Sequence, residues 1–479
     1  MVSKRNILRA LSASIVATVL LQLLLIFPAA YETEKVFTSE SGMFLFVQCE
    51  SEDEVYFYAS NQADITVLEI PDEIDGKEVV GIKNLGIASP SVTKMVAGKN
   101  VKQIFGGGMV ATSINNNSVS PIVSYELNNE LKEIHSSAYF CRKRDLNGKP
   151  IGAKILVLPS SLERLHSESI QRDGIEAIVF QSDAKADINA VTFAGSSILD
   201  DFPGQNIADY PLSVYFTAGC KNFSPFAFNY VPRDDTHDFG APETYPPEGL
   251  TLYKKSECDG FDKFKDNSHE EYYYGITQGR SAPEIEVKEY TEEWWHGLAE
   301  IEEVTMTAEG MSEKTEQVGN GLSDSARKYL SHEYEKSVKS GEKFTVSSAF
   351  APSDAYDDRT FFVSMDETVA TVDTETGEVT ALKRGTARIR CVAASGVFSD
   401  CILKVDGGDD TNGICLPTKL FEYATDANQT KTVPDLTANQ TKTTDWKEFF
   451  FTNKLYIIIP VAAAAILTAA VVVIKKKKR

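Results

Sequence analysis

Seven cysteines, six histidines and three tryptophans are few for a chain of 479 residues. Cys49, Cys141, Cys220, Cys258, Cys391, Cys401 and Cys415 are scattered and odd in number, which excludes a disulfide framework as the source of stability. His135, His166, His237, His269, His296 and His332 stand singly, none in a zinc spacing, and "HEYEK" at His332 lacks the second His of a metalloprotease helix. "GGG" at Gly106 to Gly108 has no Lys to complete a phosphate cradle, and no Gly-x-Ser-x-Gly nucleophile turn occurs. These absences leave no catalytic residue, resident metal or cofactor to expect, and the chain reads as a non-enzyme.

Acidic residues are missing from both ends. Lys4, Arg5 and Arg9 precede an uncharged stretch from Leu11 to Phe27 and then Pro28-Ala29-Ala30, the order of a secretory signal over residues 1–30. Pro28 stands where a small residue is expected, so an uncleaved signal anchor is the alternative. Leu455 to Ile474 is uncharged and long enough to cross a hydrocarbon core of about 30 Å as a helix. The basic residues 475–479 that follow place the tail in the cytoplasm and everything before Leu455 outside. Of 48 Lys and Arg, eight lie in these two ends, so 40 basic side chains face 69 acidic ones in between, a net charge of −29. Nucleic acid is a poor partner for such a surface.

A decamer recurs through the first half: "MVAGKNVKQI" from Met95, "YELNNELKEI" from Tyr125, "LVLPSSLERL" from Leu156, "IVFQSDAKAD" from Ile178 and "VYFTAGCKNF" from Val214. Apolar residues fill its first, third, seventh and tenth columns, with Asp187 the one exception in the tenth. An earlier copy, "LEIPDEIDGKEVVGI" from Leu68, lengthens around Asp75-Gly76. Columns one and three share one face of a short strand, and columns seven and ten supply a return leg. One unit cannot bury that face alone, so the copies are expected to stack into a solenoid with loops of unequal length.

The stretches "IPDEIDGKEVVGI", "VLPSSLERL" and "LKEIHSSAYFC" resemble the BspA-like leucine-rich repeats of bacterial surface antigens, and "GLTLYKKSECDGFDKF" (Gly249 to Phe264) resembles the closing rung of such arrays. The resemblance covers residues 44–280 and implies a binding or adhesive surface.

Residues 342 to 405 change to alternating strands with frequent turns, the mark of a β-sandwich. Ala387, Ile389 and Cys391 point one way and Arg388 and Arg390 the other, as on a half-buried sheet. "SVKSGEKFTVSSAFAPSDA" and "SMDETVATVDTETGEVTALKRGTARI" resemble the group 2 bacterial Ig-like domain over residues 300–405, with "VTMTAE" as its first strand. Between them, Leu322, Ala326, Tyr329, Leu330, Tyr334 and Val338 have helical spacing, with Ser323 as a cap. Cys391 and Cys401 fall on neighbouring strands facing one core, either as buried thiols or as a disulfide.

Residues 406–454 are poor in apolar side chains, repeat "ANQTKT", and read as a flexible stalk. The acidic runs "DDTHD" from Asp234 and "DGGDDTNG" from Asp406 lack calcium-ligand spacing and read as solvated turns. "EEWWHG" (Glu292 to Gly297) admits two readings. Trp294 and Trp295 either bind a sugar ring beside Glu292 and Glu293, or pack the junction between the two domains.

The expected architecture is therefore mainly β: a leucine-rich repeat solenoid, an Ig-like sandwich and one C-terminal transmembrane helix at 455–474. The expected function is that of a membrane-anchored surface protein that binds an extracellular protein, glycan or cell-wall polymer. A non-binding envelope scaffold and a carbohydrate-active enzyme are the alternatives.

Overall fold

The computed structural model describes residues 35–113, 122–139, 151–166, 169–170, 174–186, 211–223, 227, 249–264 and 285–407. The signal segment, the transmembrane run, the basic tail, nearly all of the stalk, the run from Asp234, and Cys141, Cys415, His237 and His269 lie outside the described residues. Among the described residues no helix is long and apolar enough to cross a membrane.

The decamers stack as parallel rungs. Their leading strands form one ladder in two hydrogen-bonded runs. The first joins Val67–Glu69, Lys94–Val96 and Ser124–Glu126; the second joins Ile155–Leu158, Ala177–Phe180, Leu212–Phe216, Leu250–Lys254 and Glu286–Glu289. Leu68 and Tyr125 both lie level with Met95, and Leu156, Ile178, Val214, Leu252 and Val287 are level in the second run. All of the first-column side chains up to Leu252 except Tyr125 are buried in one continuous core. The return legs form a second parallel ladder in which Ile82, Ile104, Ile134, Leu165 and Ala186 are level and buried. Two apolar columns from each side thus close on one another, the burial that no single rung achieves.

Three details differ from the sequence expectation. The tenth column is not broken at Asp187: Ala186 pairs with Leu165, because the fourth copy is one residue shorter between its buried Ala184 and its return strand. The longer first copy holds a tight hairpin, Glu73–Ile74 against Lys77, whose turn residues Asp75 and Gly76 have φ of 52° and 76°. Asp-Gly is the pair that such a turn selects. The stack also extends past residue 280, to the strand Glu286–Glu289, and here the third column changes character. Lys254 lies level with both Phe216 and Glu289 and pairs with the Glu289 carboxylate at 3.3 Å, so the far end is charged.

The sandwich begins with Glu303–Thr307, which pairs antiparallel with Ser347–Ala351. Its main sheet runs in the order Ser312–Glu313, Leu330–Lys339, Phe398–Asp406, Gly385–Ala393 and Thr360–Ser364. A smaller sheet, Lys343–Thr345, Glu378–Ala381 and Ala370–Val372, contributes Val379, Ala381 and Ala370 to the same core.

The helix expected after Ser323 is one turn long, Asp324–Arg327, with the Ser323 hydroxyl accepting from Ala326 N. From Leu330 the chain is a ten-residue strand parallel to Phe398–Asp406. A spacing of four fits both a helix and a strand, since four is an even number of strand residues; Leu330, Tyr334 and Val338 therefore carried no decision between them. Cys391 and Cys401 are free and buried, and burial pushes both thiols up to about 12. They are not opposite one another, because Cys391 pairs with Ser399 and Cys401 with Ile389, so of the two readings the structure has the buried thiols.

The largest departure concerns the outer side of the main sheet, which is buried rather than solvated. Arg390 is wholly buried. Its Nε and Nη2 donate to the two carboxylate oxygens of Asp400 at 2.8 and 3.0 Å, and Nη1 donates to Asp64 O and, at 3.1 Å, to Ser91 Oγ of the repeat stack. Arg388 donates to the same carboxylate at 3.1 Å. Around this pair, Val123 and Ile151 of the stack share an apolar cluster with Phe361, Val392 and Phe398 of the sandwich. Ser323 donates twice to the Asp64 carboxylate, at 2.6 and 2.8 Å, and Thr93 Oγ1 donates to Ala393 O at 2.6 Å. At Gly396, with φ of 90°, a Cβ would fall 2.2 Å from Val67 Cγ2, so backbone and stack approach as closely as only glycine permits. The sandwich therefore lies against the first ladder, within one compact unit.

Candidate functional site

The outward second column of the first ladder becomes aromatic at Tyr215 and Tyr253, whose rings stack 4.6 Å apart. After the last strand the chain turns back over this face. Trp295 is buried, its ring centroid 5.3 Å from Tyr215 and 5.5 Å from Tyr290. Trp294 is half-buried and bridges Tyr215 of the stack, at 5.6 Å, to Tyr356 of the sandwich, at 5.5 Å. Both tryptophans thus pack the junction, and Trp295 in addition lines a cleft there.

That cleft has a volume of about 280 Å³. The stack supplies Tyr125, Lys154 and Val157 to its walls, the connecting segment supplies Trp295 and Glu300, and the sandwich supplies Tyr356 and Asp357. Lys154 donates to Asp358 Oδ1 at 3.0 Å and to Tyr356 O at 3.2 Å, and that hydrogen bond holds the Asp358 carboxyl below its usual range. Burial, with the nearby charges of Glu176 and Asp357, pushes the Tyr356 phenol up to about 12, so it stays a neutral donor. Glu300 pairs with Lys94 at 3.0 Å. Aromatic faces beside a few fixed polar groups bind sugar rings and polar side chains. Clefts for drug-sized ligands begin at about 300 Å³, so this one has room for a single sugar ring or one side chain of a larger partner.

Glu292 is exposed and Glu293 is engaged. The Glu293 carboxylate pairs with Lys255 Nζ and, at 2.9 Å, with His296 Nδ1, and the Lys255 hydrogen bond lowers its pKa. A carboxylate kept ionised in this way is a poor general acid at neutral pH.

A second cluster had no counterpart in the sequence reading. Phe105, His135 and His166 directly follow the tenth-column residues of three successive rungs, and stacking makes a column of their rings at 4.5 Å spacing. Glu133 lies beside them on the same outer face of the second ladder. Among the described residues, Glu133, His135 and His166 are the group whose side-chain donors converge closely enough to hold a metal ion. The signal was present in the aligned decamers, one column past the last apolar one, but rings that meet across rungs have no short sequence spacing.

The sandwich is a bacterial Ig-like domain: residues 330–402 match the family model described as Bacterial Ig-like domain (group 2). The match opens at Leu330, the first residue of the long strand that had been expected to continue a helix. A comparison with curated proteins gives no match to the chain.

Proposed function

We propose that the chain is a membrane-anchored cell-surface protein that binds an extracellular protein or glycan. Its stack of rungs is an irregular leucine-rich repeat solenoid of the BspA-like type, carried outside the cell by the segment 455–474 of a Gram-positive type bacterium. The observation that carries the binding reading is the junction cleft, where Tyr125, Trp295 and Tyr356 present aromatic surface beside Lys154, Glu300 and Asp357. Three segments of the chain converge to build it, and its size suits one unit of a polymer. The Ig-like domain then acts as one wall of the binding site as well as a spacer.

The test is binding of the full chain in detergent to glycans, mucins, matrix proteins and wall fragments. Saturable binding is expected, weakened at least about tenfold by Ser124→Trp, which fills the cleft from a half-exposed position without touching the buried pairs. Unchanged binding by a variant that melts like the parent removes the cleft from the reading. Co-purification with wall polymer, with no saturable ligand, favours an envelope scaffold instead.

A further inference from the structure

We propose that Glu133, His135 and His166 form a zinc(II) site on the outer face of the second ladder, independent of the junction cleft. Two imidazole nitrogens and one carboxylate oxygen are a donor set suited to Zn²⁺ rather than to Ca²⁺ or Mg²⁺, which prefer oxygen alone. Three protein donors leave a fourth position for water or for a donor from a bound partner.

The geometry is close to what the ion requires. Donors about 2.1 Å from a tetrahedral ion are separated from one another by roughly 3.4 Å. Glu133 Oε2 lies 3.5 Å from His135 Nε2 and 3.5 Å from His166 Nε2, so two edges of the tetrahedron are already in place. The third edge, between the two imidazoles, is no longer than 4.8 Å. Because the rings are nearly parallel, 11° apart, closing that edge takes a turn of one imidazole about its Cβ–Cγ bond. Both rings have room, since about a quarter of each side chain is exposed.

A second observation points the same way. His135 Nε2 is buried and has no hydrogen-bond partner among the described residues. A buried nitrogen without a hydrogen bond is unfavourable, and an ion between it and Glu133 would relieve that cost. A column built for stacking alone would be served better by repeating Phe105 than by two imidazoles sharing one carboxylate. Arg164, level with Glu133 on the next rung, is a cation that opposes an ion here.

The full chain, stripped with a chelator, is titrated with Zn²⁺ by calorimetry and with Co²⁺ as an optical probe. His135→Phe keeps the column of rings and removes a ligand; His166→Phe does the same, and Glu133→Gln removes the carboxylate charge. Each variant is expected to bind one equivalent fewer than the parent, or that equivalent at least about tenfold more weakly, while melting at the parent's temperature without metal. The visible bands of four-coordinate Co²⁺ are expected to disappear in the same variants and to persist in His332→Gln. A parent that takes up no stoichiometric Zn²⁺, or ring variants that bind Zn²⁺ as the parent does, would overturn the assignment.

Discussion

Replacing Asp400 with Asn removes the charge on which the seam between stack and sandwich turns. The Asp400 carboxylate accepts three charge-assisted hydrogen bonds, two from Arg390 and one from Arg388, and both it and Arg390 are wholly buried. Solvent cannot screen what is left, and the new amide would direct a donor at a guanidinium that only donates. Removing one partner of a buried pair costs about 3–5 kcal/mol, a large share of the 5–15 kcal/mol that holds a typical domain. The double variant Arg390→Met, Asp400→Leu leaves no buried charge between those two positions. Its main losses are at Asp64 O, which gives up the Arg390 donor, and at Arg388, which gives up the Asp400 acceptor while keeping Glu333 at 3.7 Å; Ser91 Oγ keeps Ser89 Oγ and Ile65 O, and a lost partner of that kind costs about 1–3 kcal/mol. Urea unfolding followed by tryptophan fluorescence, with Trp294 and Trp295 at the junction as reporters, measures both. The expected order is parent most stable, then the double variant, with Asp400→Asn last. A cost below about 1 kcal/mol for Asp400→Asn, or a double variant no better than the single one, would refute the claim that this pair holds the seam.

Gly396→Ala is expected to destabilise by about 2 kcal/mol or more, from a left-handed φ and a Cβ driven into Val67. Adding Val67→Ala should return the part due to the clash and not the part due to the backbone, as a double-mutant cycle in urea would show. His332 provides a pH dependence. Burial lowers its pKa, but hydrogen bonds to Glu303 and Glu313, at 2.8 and 2.7 Å, outweigh burial and raise it on balance. A raised folded value means stability that is full below the unfolded value of about 6.5 and lost as pH rises through the folded one. The advantage of the parent over His332→Gln should therefore be greatest near pH 6 and fade toward alkaline pH; an advantage constant from pH 6 to 9 would contradict it.

The apolar columns were legible because burial repeats at every rung: Leu68, Met95, Leu156, Ile178 and Val214 obey one rule and meet in one core. What stayed hidden depends on contacts between distant segments. Arg390 reads as a solvent-facing residue on an alternating strand, and it takes Asp400 on the next strand together with Asp64 and Ser91 of the stack to make a buried arginine tolerable there. Trp295 was legible as a junction residue because it sits between two patterns, yet the cleft beside it takes walls from three segments and leaves no local motif. His135 and His166 looked solitary in the chain for the same reason.

The charged third column at the far end of the stack sets a limit on assembly. Parallel rungs of this kind offer every next strand a ready template, and among the described residues no further strand pairs with the outer edge of Glu286–Glu289. Glu286, Lys288 and Glu289 on the final strand, with Lys254 beneath, make docking of a second molecule there costly, since an incoming apolar rung would have to strip water from them. Copies at high concentration would in this way be kept from polymerising head to tail into filaments.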